Sequence, residues 1–235
     1  MMSENKAPIG IIGAMSDEVD GLIAKLDGHV EELVSGIKFH TGTLYGKSVV
    51  IARCGVGKVF ASMCATAMII KYSPRLIVNT GVGGALSPEL SCADIVVATR
   101  LVQHDMDTSP LGDPVGMISG INKVYFDADE SAAEALMTAA NKLSLPAKRG
   151  VIASGDQFVA DKATKDRIVS TFGADVCEME GAAIAQAAFV SGTPFAVVRA
   201  ISDGADGNSP MDFPTFLSIA VKSSESLTLA LVEAF

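Results

Sequence analysis

The feature that most constrains this chain is an alternation. Short apolar runs recur between segments with helical spacing, nearly to the C-terminus. "IGIIGAM" (9–15) reads as a buried strand. In "SDEVDGLIAKL" (16–26), Val19, Leu22, Ile23 and Leu26 fall at i, i+3, i+4 and i+7, the stripe of an amphipathic helix, with Ser16 as its N-cap. "IKFHTGTLYGKSVVIARCG" (37–55) predicts a hairpin turning at Tyr45-Gly46-Lys47. Further strands are expected at 75–81, 93–105, 148–155, 174–180 and 193–203. Helices are expected at 58–72, 129–143, 164–172 and 181–192, with a closing helix over 213–235. Segment 105–120 holds Gly and Pro without periodicity and reads as a loop. Such an alternation implies a mixed, largely parallel sheet covered by helices on both faces, a three-layer α/β/α fold.

Length and composition agree with this reading. A chain of 235 residues fits one domain over 1–235, with roughly the first eight residues flexible, and it shows no repeat or low-complexity segment. Hydrophobic residues make up 49% and charged residues 19%, enough for a substantial core. Trp is absent and aromatics reach only 6%, so Ala, Val, Ile, Leu and Met must form that core. The net charge of −9 leaves no basic stripe to displace counterions, which argues against a nucleic-acid partner. The N-terminus lacks the basic region and apolar stretch of a secretion signal. No apolar run reaches the roughly 18 residues of a membrane span, so a cytoplasmic protein is expected. Cys54, Cys64, Cys92 and Cys177 form no C-x-x-C pair and read as small core residues in a reducing compartment.

Open α/β sheets bind ligands beyond the carboxyl ends of their strands. The segments to inspect are therefore Met15–Glu18, Arg53–Lys58, Gly81–Gly84, Gly155–Val159, Met179–Glu180 and Ser202–Asp206. "GIIGAM" lacks the dinucleotide fingerprint, and "CGVGKV" lacks the first Gly and the Ser/Thr of a phosphate-binding loop. Gly55 and Gly57 imply either a close backbone approach with positive φ or a simple strand-to-helix turn. "QHDMD" (103–107) is too thin for a metal site and reads as solvated loop polars. No nucleophile elbow and no Cys/His pair supports acyl transfer. What remains is a set of acids at strand ends: Glu18, Glu178, Glu180 and Asp203. Each alone reads as a helix cap or dipole partner, yet a sheet of this kind gathers strand ends at one site.

Six segments, "IGIIGAMSDEV", "GVGKV", "NTGVGGAL", "ASGDQF", "EMEGAAIA" and "VVRAISDGAD", run in order along most of the chain. They resemble the signature segments of the bacterial 5′-methylthioadenosine/S-adenosylhomocysteine nucleosidases, a branch of the nucleoside phosphorylase superfamily. The resemblance implies a nucleoside phosphorylase-like fold and hydrolysis of the N-glycosidic bond of 5′-substituted adenosines, releasing adenine, in methionine salvage. It implies that Glu18 activates water, Asp203 protonates adenine N7, and Glu180 grips the ribose hydroxyls over Met179. It also implies that Phe158 stacks on adenine while the Val159 backbone reads its edge. Gly84, Ser202, Met15 and Val56 would line the pocket, and Phe213 would close over the 5′ substituent. No metal or other cofactor is implied, and the partner is a small-molecule nucleoside.

The resemblance further implies a homodimer whose 105–120 loop, with Leu111, reaches the neighbouring subunit's site. Val82 stands where some members carry serine and Leu111 where some carry an aromatic, which leaves the preferred 5′ substituent open. Glu178 is expected to support the adjoining helix or loops. Two other readings stay open: phosphorolysis, with Arg53 and Lys58 supplying positive charge, and nucleoside binding without turnover.

Overall fold

The computed structural model describes residues 7–235, except the side chains of Pro210 and Met211. The expectation for the first residues falls mainly on 1–6, outside the described residues. The strands are β1 (Ile9–Gly13), β2 (Asp27–Val34), β3 (Ile37–Leu44), β4 (Lys47–Arg53), β5 (Leu76–Ala85), β6 (Ile95–Gln103), β7 (Tyr125–Asp127), β8 (Ala147–Ser154), β9 (Val176–Glu178) and β10 (Phe195–Asp203). The helices are α1 (Ser16–Ile23), α2 (Lys58–Tyr72), α3 (Glu130–Lys142), α4 (Lys162–Phe172), α5 (Gly181–Ser191) and α6 (Ser209–Ala234).

These strands form a mixed sheet ordered β10-β6-β8-β9-β5-β1-β4-β3-β2, with β7 beside β6 and β10 also paired to β5. Helices α2 and α5 cover one face, meeting Ile12, Phe39, Ile77 and Val197 through Ala61, Cys64, Met68, Ile184 and Ala188. Helices α1, α3 and α6 cover the other through Leu22, Leu136 and Leu231, over Ile11, Val78 and Val198. The small Ala-rich helix faces let the layers approach closely, as the composition required. The fold is the three-layer α/β/α arrangement.

Strand β5 is buried at all ten positions. It pairs in parallel with β1 and with β10, and its last residues pair with β9. A strand with neighbours on both edges and helices on both faces must be apolar or glycine throughout, and "LIVNTGVGGA" is so except at Asn79 and Thr80. Asn79 uses its amide on the Ile12 carbonyl at 2.9 Å. Thr80 bonds Ser224 and Thr228 of α6, so no buried polar group there stands alone. In this register Asp203 faces Gly84, and Gly84 faces Cys177. Three strand ends therefore meet at one spot.

Several expectations need correction. Helix α1 has Met15, not Ser16, at its N-cap, because the Glu18 side chain turns back to the Met15 N–H at 3.0 Å. Strand β2 escaped notice because it is exposed along nearly its whole length and has no apolar face to reveal it. Strand β7 has only three residues, too few to show a period. The expected strand at 174–180 shrinks to β9, since α5 begins at Gly181. Helix α6 starts one turn before the expected closing helix.

The expectation that nothing is long enough for a membrane span also changes. Asp212–Ala234 is long and apolar enough to cross a bilayer by length and composition alone. Its apolar residues are spent otherwise: Ala220, Leu227, Leu231 and Val232 are buried against the sheet, and Ser224 and Thr228 bond Thr80. Leu231→Ala should cost about 2–5 kcal/mol of stability, read as a lower urea midpoint. Ile219→Ala, on the same helix but 51% exposed, should stay within about 0.5 kcal/mol of wild type. Equal midpoints for the two variants would show that α6 is not a core helix.

Candidate active site

A cavity of about 300 Å³ opens at the carboxyl ends of β1, β5, β9 and β10. Met15, Glu18, Val56, Gly84, Phe158, Val159, Met179, Glu180, Ser202, Asp203 and Phe213 all line it. Leu111 does not. It lies in a short 3₁₀ turn (Ser109–Leu111) and is 84% exposed, away from this chain's own cavity. Ala14 and Cys177 also line the cavity and were not expected there, and Glu178, expected only as structural support, lines it as well. Cys177 was read as a core residue, and burial does push its thiol up to about 12, so it presents a neutral wall. The signal that could have found it is its place on a strand directly before the two glutamates.

Glu18 sits in the first turn of α1, 7% exposed. One carboxylate oxygen accepts the N–H groups of Ala14 (2.7 Å) and Met15 (3.0 Å), and the other accepts Val82 N–H (3.1 Å). Burial raises its pKa against the pull of Arg199 and of these amides. Gly81 makes room for it: a Cβ there would lie 2.5 Å from Glu18 Oε1.

The two glutamates of "EME" part company. Strand β9 ends at Glu178, while Glu180 is the N-cap of α5. Glu178 pairs with Arg199 and accepts from Ser154, from Glu180 N–H (3.0 Å) and from Gly181 N–H (2.8 Å). Burial works to raise its pKa, but the guanidinium and these donors outweigh burial and lower it. Glu178 thus holds the start of α5. Among the described residues, the Glu180 carboxylate receives one hydrogen bond, from Gly57 N–H at 2.8 Å. Burial and the neighbouring Glu178 charge raise it to about 8. Gly55 and Gly57 both have positive φ, 93° and 99°, so the close-approach reading of "CGVGK" holds.

Asp203 ends β10, 3% exposed. One oxygen accepts from Ser202 Oγ (2.9 Å) and the other from Ala205 N–H (2.9 Å). Phe158 and Phe213 meet edge to face, centroids 5.8 Å apart, at the cavity rim.

Of the residues of "QHDMD", Asp105 and Asp107 are exposed as expected, whereas Gln103 and His104 are buried. His104 is 1% exposed, packed on Gly155, and Asp105 pairs with Lys58 at 2.6 Å. Neither Arg53 nor Lys58 lines the cavity. Among the described residues no cluster of three His, Cys, Asp or Glu is placed to hold a metal ion.

Glu180→Gln offers a test of this electrostatic picture. A group raised from 4.5 to about 8 on folding stabilises fully below pH 4.5, and that contribution is lost as pH rises through about 8. Wild type should therefore lose melting temperature relative to Glu180→Gln between pH 4.5 and 8. A constant difference across that range would contradict the raised value.

Comparison with known proteins places this geometry. The family model described as the phosphorylase superfamily matches residues 8–233. A 5′-methylthioadenosine/S-adenosylhomocysteine nucleosidase of Shewanella halifaxensis is 36% identical over 226 residues, covering 96% of this chain and 98% of that protein. The structure of the Neisseria meningitidis nucleosidase of the same name, in complex with methylthio-immucillin-A, superposes with a TM-score of 0.95 at 30% identity, covering 97% of this chain and 100% of the other. The futalosine hydrolase of Helicobacter pylori superposes with a TM-score of 0.94 at 35% identity, covering 99% and 100%. The chain belongs to the phosphorylase superfamily and, within it, to the 5′-methylthioadenosine/S-adenosylhomocysteine nucleosidases, a family of N-glycosyl hydrolases.

Proposed function

We propose that the chain hydrolyses the N-glycosidic bond of 5′-methylthioadenosine, S-adenosylhomocysteine and related 5′-substituted adenosines, releasing adenine. The observation that carries this reading is the convergence of Glu18, Glu180 and Asp203, from three distant parts of the sequence, on one cavity. Cleavage passes through an oxocarbenium-like state with positive charge on the sugar. Asp203 donates a proton to adenine N7 as the base leaves. Glu18 orients water on the opposite side and takes its proton. Burial raises its proton affinity, which favours that transfer.

Glu180 accepts from the adjacent ribose hydroxyls, and in its ionised form its charge lies near the developing cation, where it favours the transition state over the ground state. Phe158 stacks on the base, the Val159 backbone reads its edge, Met179 lies under the sugar, and Phe213 closes over the 5′ group. Hydrolysis is favoured over phosphorolysis because the cavity wall carries acids and, among the described residues, no Lys or Arg. A phosphate dianion there would meet like charge. The similarity to a futalosine hydrolase keeps the 5′ substituent broad.

A homodimer completes the site. Val59, Phe60, Met63 and Ile70 of α2, with Phe189 and Val190 of α5, are large apolar residues left exposed on one face. Leu111 stands exposed nearby in sequence to the loop root, as a residue reaching a partner's pocket would. The location is cytoplasmic and the role is methionine salvage.

Adenine should appear when the protein meets methylthioadenosine in phosphate-free buffer, together with a free reducing sugar. Absence of adenine above background removes the reading. Asp203→Asn should lower kcat by about 10²–10⁴-fold while substrate still binds; an unimpaired rate would refute Asp203 as the acid. Met63→Asp should convert a species of twice the chain mass into a monomer by light scattering, and a wild type that is already monomeric would refute the dimer.

A further inference from the structure

Glu180 owes its position to an amide that no strand pairing fixes. Its protein donor is Gly57 N–H, at the end of the turn that follows β4. Strand β4 pairs only with β1 and β3, whereas Glu180 follows β9, which pairs with β5 and β8. Strands β4 and β9 are thus separated by β1 and β5, and no direct pairing joins the turn after β4 to Glu180. Gly57 adopts φ 99° and ψ 161° and has no side chain with which to cap α2. Something else must hold this turn.

A ring of hydrogen bonds does so. The next amide, Lys58 N–H, donates to Asp156 Oδ1 at 2.7 Å. Asp156 N–H donates to Asp105 Oδ2 at 2.9 Å. Lys58 Nζ closes the ring on Asp105 Oδ1 at 2.6 Å and also donates to Gln103 Oε1 at 3.1 Å. The ring joins the ends of β4, β6 and β8. A Cβ on Gly57 would lie 3.0 Å from Asp156 Oδ1, so the turn already packs closely against the Asp156 carboxylate.

We propose that Asp156 and Asp105 are positioning residues that clasp the Gly57–Lys58 turn and thereby aim the Gly57 amide at the carboxylate of Glu180. The inference rests on the nucleosidase reading for what Glu180 does with substrate. It also ties the root of the 105–120 loop to the ribose end of the same subunit's site. Asp105 remains an anion in this ring: desolvation pushes its pKa up, but Lys58 and the Asp156 amide bring it below the ordinary range.

The experiment separates aiming from simple helix capping. Glu180 is faced by Glu178 of β9, Arg199 of β10, Glu18 of α1 and Cys54 after β4, and none of these changes in the variants. In Asp156→Ala the Gly57 amide loses its aim, so the ionised form of Glu180 loses a donor. The Glu180 titration midpoint should move to higher pH, followed by ¹³C-carboxyl NMR and assigned by its absence in Glu180→Gln. KM for methylthioadenosine should rise about tenfold or more, with kcat less affected. Asp156→Asn keeps an acceptor oxygen and should restore both. An Asp156→Ala protein that melts lower yet keeps the wild-type midpoint and KM would reduce Asp156 to a helix cap and overturn the proposal. If wild type itself releases no adenine, the nucleosidase reading fails alone, and the NMR titration still decides the clasp.

Discussion

The buried ion pair between Arg199 and Glu178 governs the arrangement of everything around the cavity. Arg199 is 2% exposed, and its guanidinium also donates to the Asn79 and Val198 carbonyls and to the Asn79 side chain. One side chain thus joins β10, β5 and β9. A buried cation is tolerated only when its donors are used and its charge is answered, and removing one partner of such a pair typically costs about 3–5 kcal/mol. Arg199 is held charged by Glu178, Glu180 and Glu18 against desolvation. It is bonded to Glu178 alone among them. That choice divides the acids into two kinds. Glu178 is fixed as an anion and organises the N-terminus of α5, while Glu18 and Glu180 keep raised proton affinities. In the proposed hydrolysis Glu18 has to take up a proton, which calls for an acid of the second kind, and the first kind makes the second possible.

Much of the fold could be read from periodicity because most elements bury one clear face. Helix α2 fell at its expected bounds, and the hairpin turned where Tyr45-Gly46-Lys47 said it would. What stayed hidden lacked a face. Strand β2 is exposed along its length, and β7 is too short to show a pattern. The burial of His104 was invisible for another reason: it depends on Gly155, fifty-one residues away, offering a surface without a Cβ. Residue patterns report local periods, not which distant glycine leaves a gap.

The cavity was legible to the extent that strand ends and a resemblance could point to it. The two agree because parallel strands place their carboxyl ends together whatever the loops do. The split between Glu178 and Glu180 was not legible. Period two would have put both on one face, but the chain turns into α5 between them. Nor could the sequence show that Lys58, a candidate for binding phosphate, is occupied by Asp105 and Gln103.

Glu18 is held entirely by main-chain amides, those of residues 14, 15 and 82. Amides are common to every residue but proline. The side chain at position 82 is therefore immaterial to how this acid is seated, and a valine serves there as a serine would. Drift at these three sites can reshape the cavity wall while leaving the Glu18 carboxylate undisturbed. Gly81 has no such freedom, since any side chain would occupy the space of the carboxylate itself. Selectivity and reactivity are thereby written in separate parts of the same backbone, and one can evolve without unsettling the other.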